Sequence, residues 1–273
     1  MSEPIDVQLV DRFRCAVEAR VGLSFAPGRN DELTQILQKR AAAHGGKIVE
    51  YLARLEAGEL HDELRELAPV LTVAETYFFR SPSQLDAFRA LAQQHLLEAG
   101  PSPRPFRVLS AGCASGEEAY SLAIVAREVF AGRTQLLRVV GVDLNPRVLE
   151  RARAAQYSEW SLRAIDADVR ARWFRGRGSE IRLEPTIAAA VSFAECNLVA
   201  PDPELLGEGQ WDVIFCRNVL MYFSTEQART ALGHLTRALT PAGYLFLGHA
   251  ENLRDLSQAF HLRHTHEAFY YQR

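Results

Sequence analysis

A chain of 273 residues, 48% apolar and 24% charged, can fold around one large core, with room for a small domain beside it. Its net charge of −3 gives no reason to expect nucleic acid or an anionic membrane as a partner. It has no apolar run long enough to span a bilayer and no basic-then-apolar start, so a cytoplasmic protein without membrane insertion is expected. Cys15, Cys113, Cys196 and Cys216 form no C-x-x-C pair and read as free thiols. His261, His264 and His266 fall in a closing hairpin, where surface or strand histidines are expected and no metal site.

Residues 5 to about 70 read as helical. Val7, Val10, Phe13 and Val17 follow helical spacing, as do Leu33, Ile36 and Leu37, and then Ile48, Tyr51, Leu52 and Leu55. Breaks at Gly22, Pro27-Gly28, Gly45-Gly46 and Gly58 divide this stretch into three or four helices, a small helical domain over residues 1–70. Residues 71–100 form a linker carrying TYFFR and a helix from about Ser83 to Glu98, followed by a loop, GPSPRP.

From Phe106 strands and helices alternate. FRVLS, LLRVVGVD, VSFAEC, WDVIFC and GYLFLG read as strands; Glu117–Phe130, Pro146–Ala155 and Thr225–Leu239 read as helices. That order predicts an α/β fold over 101–273, a parallel sheet with helices on both faces. AFHLRH and EAFYYQR lie close together with no helix between them, which suits an antiparallel hairpin at the end of the sheet. Residues 157–190 break the alternation and read as an insertion containing a small hairpin around RGRGSE.

The first strand opens into Ser110-Ala111-Gly112-Cys113-Ala114-Ser115-Gly116-Glu117-Glu118. Glycines there let the chain turn sharply and approach a ligand at the carboxyl ends of the strands. A pyrophosphate would be repelled by two glutamates at that mouth. S-adenosylmethionine, with a sulfonium and an ammonium and no phosphate, tolerates acid; alternatively, Glu117 and Glu118 simply complement the helix dipole. Asp143 ends the second strand, where a carboxylate can accept both ribose hydroxyls, or can close a turn in Asp-Leu-Asn-Pro. Asn197, Arg217 and Asn218 follow later strands at the same edge. An asparagine there can read adenine or cap a helix, and the arginine can be a surface residue.

Together, TYFFR, SAGCASGEEAYSLAI, VVGVD, FAECNL, FCRNVLMYF and GYLFLGHAENL resemble, in order and over nearly the whole chain, the CheR family of chemoreceptor glutamate O-methyltransferases. The resemblance implies a Rossmann-like class I methyltransferase fold: a mostly parallel seven-stranded sheet with a terminal antiparallel hairpin, a helical amino-terminal domain and a small β-subdomain. It implies S-adenosyl-L-methionine as cofactor, contacted by Thr76, Arg80, Gly112, Glu117, Asp143, Asn197, Leu198, Arg217 and Asn218. It implies transfer of methyl to receptor glutamates, leaving S-adenosyl-L-homocysteine, by a monomer docked on a receptor's cytoplasmic helical domain. Arg80 and Tyr222 are the candidates for holding the substrate carboxylate; alternatively, one is a surface cation and the other a packing residue. Ala74 departs from the family's frequent asparagine, so one cofactor contact is expected to be lost; Ser81 replaces a frequent acid with little expected effect. Arg40, Lys47 and Arg54 are candidate docking cations in a helical region that is net acidic. A carboxyl methyltransferase for small acids would not need that region. A cofactor-binding regulatory module would not need Arg80 and Tyr222.

Overall fold

A computed structural model describes residues 5–25, 27–60, 62–98, 104–131, 133–265 and 267–273. His266 and most of the GPSPRP loop lie outside the described residues.

The amino-terminal helices are α1 (Val7–Val21), α2 (Asn30–Ala43), α3 (Ile48–Ala57) and α4 (Glu63–Leu71). The Asp6 side chain caps α1 by accepting from the Gln8 N–H at 3.0 Å, and left-handed Gly22 and Gly58 end α1 and α3. Helix α4 runs through Pro69 to Leu71, the first residue of the expected linker; a proline at that position gives up one N–H bond and crowds the Arg65 carbonyl, a cost of about 3 kcal/mol that packing must offset. Phe13, Leu33, Leu37, Tyr51, Leu52 and Leu67 fill a core of their own. Burying side chains of that size contributes about 1.5–3 kcal/mol each.

Helix α5 (Pro82–Glu98) precedes the alternating fold: β1 (Phe106–Ala111), α6 (Glu117–Val129), β2 (Leu137–Asp143) and α7 (Pro146–Ala154). The insertion follows, with β3 (Gln156–Tyr157), α8 (Ala167–Trp173), β4 (Phe174–Arg175), β5 (Ile181–Leu183) and α9 (Pro185–Ala188). Strands β3, β5 and β4 make a three-stranded sheet, one strand more than the expected hairpin. The chain ends with β6 (Val191–Glu195), β7 (Trp211–Cys216), α10 (Thr225–Ala238), β8 (Leu239–Leu247), β9 (His261–Thr265) and β10 (Ala268–Gln272).

The main sheet has the order β6-β2-β1-β7-β8-β10-β9. Pairs β6–β2, β2–β1, β1–β7 and β7–β8 are parallel; β10 runs antiparallel to both β8 and β9. The sheet's two faces bury separate cores. One gathers Phe88, Phe106, Tyr120 and Ile124 with the insertion's Trp173 and Ile181, and the other gathers Trp211, Leu232 and Leu235. The buried Phe215 and Phe246 rings stack with centroids 4.3 Å apart, locking β7 against β8. The described strands therefore make the seven-stranded class I methyltransferase sheet, with β1, β2, β6 and β7 ending together at one edge. Among the described residues, no helix is long and apolar enough to cross a membrane.

Candidate active site

A cavity of about 290 Å³ opens at that edge. Nine of the ten residues singled out in the sequence line it: Thr76, Arg80, Gly112, Asp143, Asn197, Leu198, Arg217, Asn218 and Tyr222.

Leaving β1, the Gly112 and Cys113 N–H groups both donate to the Val142 carbonyl, at 2.8 and 2.9 Å, folding the turn over the end of β2. Gly112 has φ 77°, and a Cβ there would stand 2.3 Å from Val219 Cγ2. Only glycine allows both the conformation and the approach of the Val219 loop.

The tenth residue, Glu117, is displaced by its neighbour. Glu117 turns away from the cavity and is buried, accepting from Ser115 Oγ at 2.7 Å and from Ser161 Oγ at 2.9 Å. Glu118 lines the cavity instead and accepts from Ser110 Oγ at 2.7 Å. Consecutive helical residues project about 100° apart, so only one of the pair can face the ligand edge. Burial pushes the Glu118 carboxyl up, against the pull of the Arg217 charge and the Ser110 bond.

Asp143 accepts from the Ala114 N–H and the Asn145 N–H, each at 2.9 Å. Burial pushes its carboxyl above the ordinary aspartate value, partly offset by these backbone donors. One carboxylate has about four lone-pair sites, so capacity for two hydroxyl donors remains.

Arg217 is buried at the end of β7. Its Nη1 donates to the Arg80 carbonyl at 2.9 Å and its Nη2 to Ser81 Oγ at 3.0 Å. Its Nε lies 3.5 Å from Glu118 Oε2 and has no hydrogen-bond partner. Ser81 also meets His249 Nε2 at 3.0 Å. Ser81 therefore anchors the buried arginine, contrary to its expected minor effect: a serine hydroxyl can accept from one partner while engaging another. The TYFFR segment is pinned on the sheet edge in a taut shape, with Phe79 at φ 57° and Ser81 at φ 61°. The Arg80 guanidinium lies over the Tyr77 ring, 5.7 Å from its centroid.

The Asn197 side chain is in part engaged with the helical region, which leaves one N–H and one lone pair of its amide toward the cavity it lines. Its Nδ2 donates to the Arg20 carbonyl at 2.7 Å, and its Oδ1 accepts from the Val199 N–H at 3.2 Å. It caps the end of α1, whose final carbonyls lack intrahelical partners. Asn218 adopts φ 57°, and Tyr222, 37% exposed, stands at the cavity mouth.

The sequence did not point to the wall supplied by the helical region. Leu23, Ser24, Phe25 and Arg29 line the cavity. The Ser24 N–H donates to the Tyr222 carbonyl at 2.8 Å, the Ser224 N–H to the Gly22 carbonyl at 3.2 Å, and Leu23 bridges Phe223 as in an antiparallel pair. Of the candidate docking cations, Arg40 is held by Glu63 with two bonds of 2.7 Å, whereas Lys47 and Arg54 are exposed, beside Glu50 at 2.7 Å and Glu59 at 3.8 Å, in surface pairs that are worth little.

This donor set fits S-adenosylmethionine. Two half-buried carboxylates, Glu118 and Asp143, suit an ammonium and a ribose diol, and the buried Arg217 guanidinium, whose Nε makes no hydrogen bond, adds a cation that suits a carboxylate.

Comparison with known proteins agrees. The profile described as "CheR methyltransferase, SAM binding domain" matches residues 74–269. A chemotaxis protein methyltransferase of Klebsiella aerogenes is 32% identical over 249 residues, covering 89% of this chain and 83% of that protein. A probable biofilm formation methyltransferase, WspC, of Pseudomonas putida is 32% identical over 242 residues; the match covers 88% of this chain and 56% of that protein. On the profile match and these identities, the chain belongs to the CheR methyltransferase family, and its cofactor is S-adenosyl-L-methionine.

Proposed function

We propose that the chain methylates glutamate side chains in the cytoplasmic helical domain of a chemoreceptor, forming methyl esters and S-adenosyl-L-homocysteine. The observation that carries this reading is the meeting of Arg80 and Tyr222, from segments 142 residues apart, on one cavity with Glu118, Asp143 and Arg217. The relatives named chemotaxis protein methyltransferases support the receptor as substrate.

The cofactor supplies the methyl group from its sulfonium. Thr76, Gly112, Asp143, Leu198, Arg217 and Asn218 hold it, with Glu118 in the place expected of Glu117. Asn197 serves the site by fixing α1 beside it. Asp143 would accept the ribose hydroxyls, and Glu118 would face the ammonium. The substrate carboxylate needs no general base, since a glutamate with a pKa of about 4.3 is ionised near pH 7. Arg80 and Tyr222 strip it of water and aim one oxygen: the arginine offers a donor fork and the tyrosine one directional O–H. Such positioning supplies roughly 7–11 kcal/mol of a barrier.

The test is incorporation of radiolabelled methyl from S-adenosylmethionine into a receptor's cytoplasmic fragment. Label released by mild base as methanol, and lost when the receptor's glutamates become alanine, is the expected result. Cofactor binding without any such label would overturn the reading.

A further inference from the structure

Just after β8, outside the cavity lining, one carboxylate collects four backbone donors. Glu251 Oε2 accepts from the Asn218 N–H and the Gly248 N–H, both at 2.7 Å. Glu251 Oε1 accepts from the Val219 N–H at 2.9 Å and the Met221 N–H at 3.1 Å. These four fill the roughly four lone-pair sites that a carboxylate offers. Three of them belong to the turn between β7 and α10 that carries Arg217, Asn218 and Tyr222. The far end of that turn is held by the Ser24 N–H on the Tyr222 carbonyl and its first residue by the bonds of Arg217, while Glu251 takes the N–H groups between them. Asn218 sits in the left-handed region, Leu220–Tyr222 is a single 3-10 turn, and Met221 is exposed.

A second observation agrees. A Cβ on Gly248 would stand 2.8 Å from Glu251 Oε2 and 2.9 Å from the Asn218 nitrogen. Position 248 is thus kept bare where the carboxylate meets the turn.

From this geometry we infer that Glu251 is a positioning residue: its carboxylate fixes the Arg217–Phe223 turn so that Tyr222 faces the cavity mouth. The part of this inference that concerns turnover rests on the role proposed for Tyr222. A glutamine is the informative replacement. It keeps the shape but puts an NH2 against two of the four N–H donors, so one half of the clamp becomes repulsive.

The experiment compares wild type, Glu251→Gln, Tyr222→Phe and the double variant as full chains. Hydrogen exchange in Glu251→Gln should quicken about 10-fold or more at the amides of Asn218, Val219 and Met221, with β7 and β8 unchanged. With the receptor fragment as substrate, kcat should fall about 10-fold or more, while KM for S-adenosylmethionine rises less than about 3-fold. Tyr222→Phe should then cost only about 2-fold further in the Glu251→Gln background, far less than on its own. A merely structural link would lower the thermal midpoint and let the two costs multiply, and that result overturns the inference. Unchanged exchange overturns it as well. If wild type makes no ester, the proposed function falls by itself and the exchange result decides about Glu251. Gly248→Ala should reproduce the same local loosening.

Discussion

Arg217 Nη1 donates to the backbone carbonyl of Arg80 at 2.9 Å, so a buried cation at the end of β7 grips the linker at the residue whose side chain is proposed to hold substrate. The acceptor is a carbonyl, not the guanidinium. Replacing the Arg80 side chain therefore leaves the grip intact. Arg80→Ala should keep the wild-type melting temperature and lower turnover on the order of 100-fold, the scale of losing a donor pair aimed at a carboxylate. Near-normal turnover would remove Arg80 from the mechanism.

Asp143 can be tested through cofactor binding. In Asp143→Asn, the amide NH2 must face one of the two backbone N–H groups that the carboxylate now accepts. Affinity for S-adenosylmethionine, measured by calorimetry, should drop about 10- to 100-fold. Burial raises the wild-type carboxyl above the ordinary value of 3.8, so it takes up a proton earlier on acidification than an ordinary aspartate. Wild-type affinity should start to decline while the pH is still above 3.8. A flat profile down to that value would speak against an ionised Asp143 as the ribose acceptor.

Gly112→Ala adds one methyl group 2.3 Å from Val219 Cγ2 on a backbone with φ 77°. Val219 must move, and with it the turn that carries Tyr222. Weaker cofactor binding and lower turnover with little loss of secondary structure by circular dichroism are expected. Wild-type binding would mean that the turn tolerates the shift.

The helical region has its own electrostatic pin. Burial alone would raise the Glu63 carboxyl, but bonds from Arg40, His44 and Tyr51 outweigh it and hold the group below its ordinary value of 4.5. A folded-state value below the unfolded one stabilises fully above about pH 4.5, and that stability is lost as the pH falls through the folded value. Thermal melts should show Glu63→Ala less stable than wild type by about 3–5 kcal/mol near neutral pH, since a half-buried Arg40 loses its partner. The gap should close in acid. A gap that persists in acid would assign the loss to packing.

The sheet was legible in the sequence because buried strands leave apolar runs and each helix leaves a 3-4 spacing, as in VVGVD and in Thr225–Ala238. Gly112 and Asp143 were legible because a turn after a strand constrains residue type. The choice between Glu117 and Glu118 was not, since it depends on a rotation of α6 about its axis that sequence order does not record. Asn197 lines the cavity, as its place after a strand led one to expect, but its cap on α1, 177 residues away in sequence, was not legible. Glu251 lies inside the GYLFLGHAENL run, but nothing in that run told its role, and the wall of Leu23, Ser24, Phe25 and Arg29 left no local signal. Each acts through groups far along the chain, and a single acid or phenylalanine in a loop resembles any other. Ala74, where the resemblance places a frequent asparagine, lines the cavity beside Thr76.

The pairing of Leu23 with Phe223 has a consequence for how the molecule comes apart. The helical bundle and the sheet domain each have a core, and two such units joined by a linker could melt separately. Here the seam between them is stitched by backbone bonds at Tyr222 and Ser224 and by the Asn197 cap on α1. Unzipping that seam dismantles one wall of the cavity, so neither unit can loosen without releasing what the cavity holds. A cofactor bound there acts as a rivet across both: at about 100 times its dissociation constant it adds about 2.7 kcal/mol to the folded whole, and the helices share that protection although most of them never touch it.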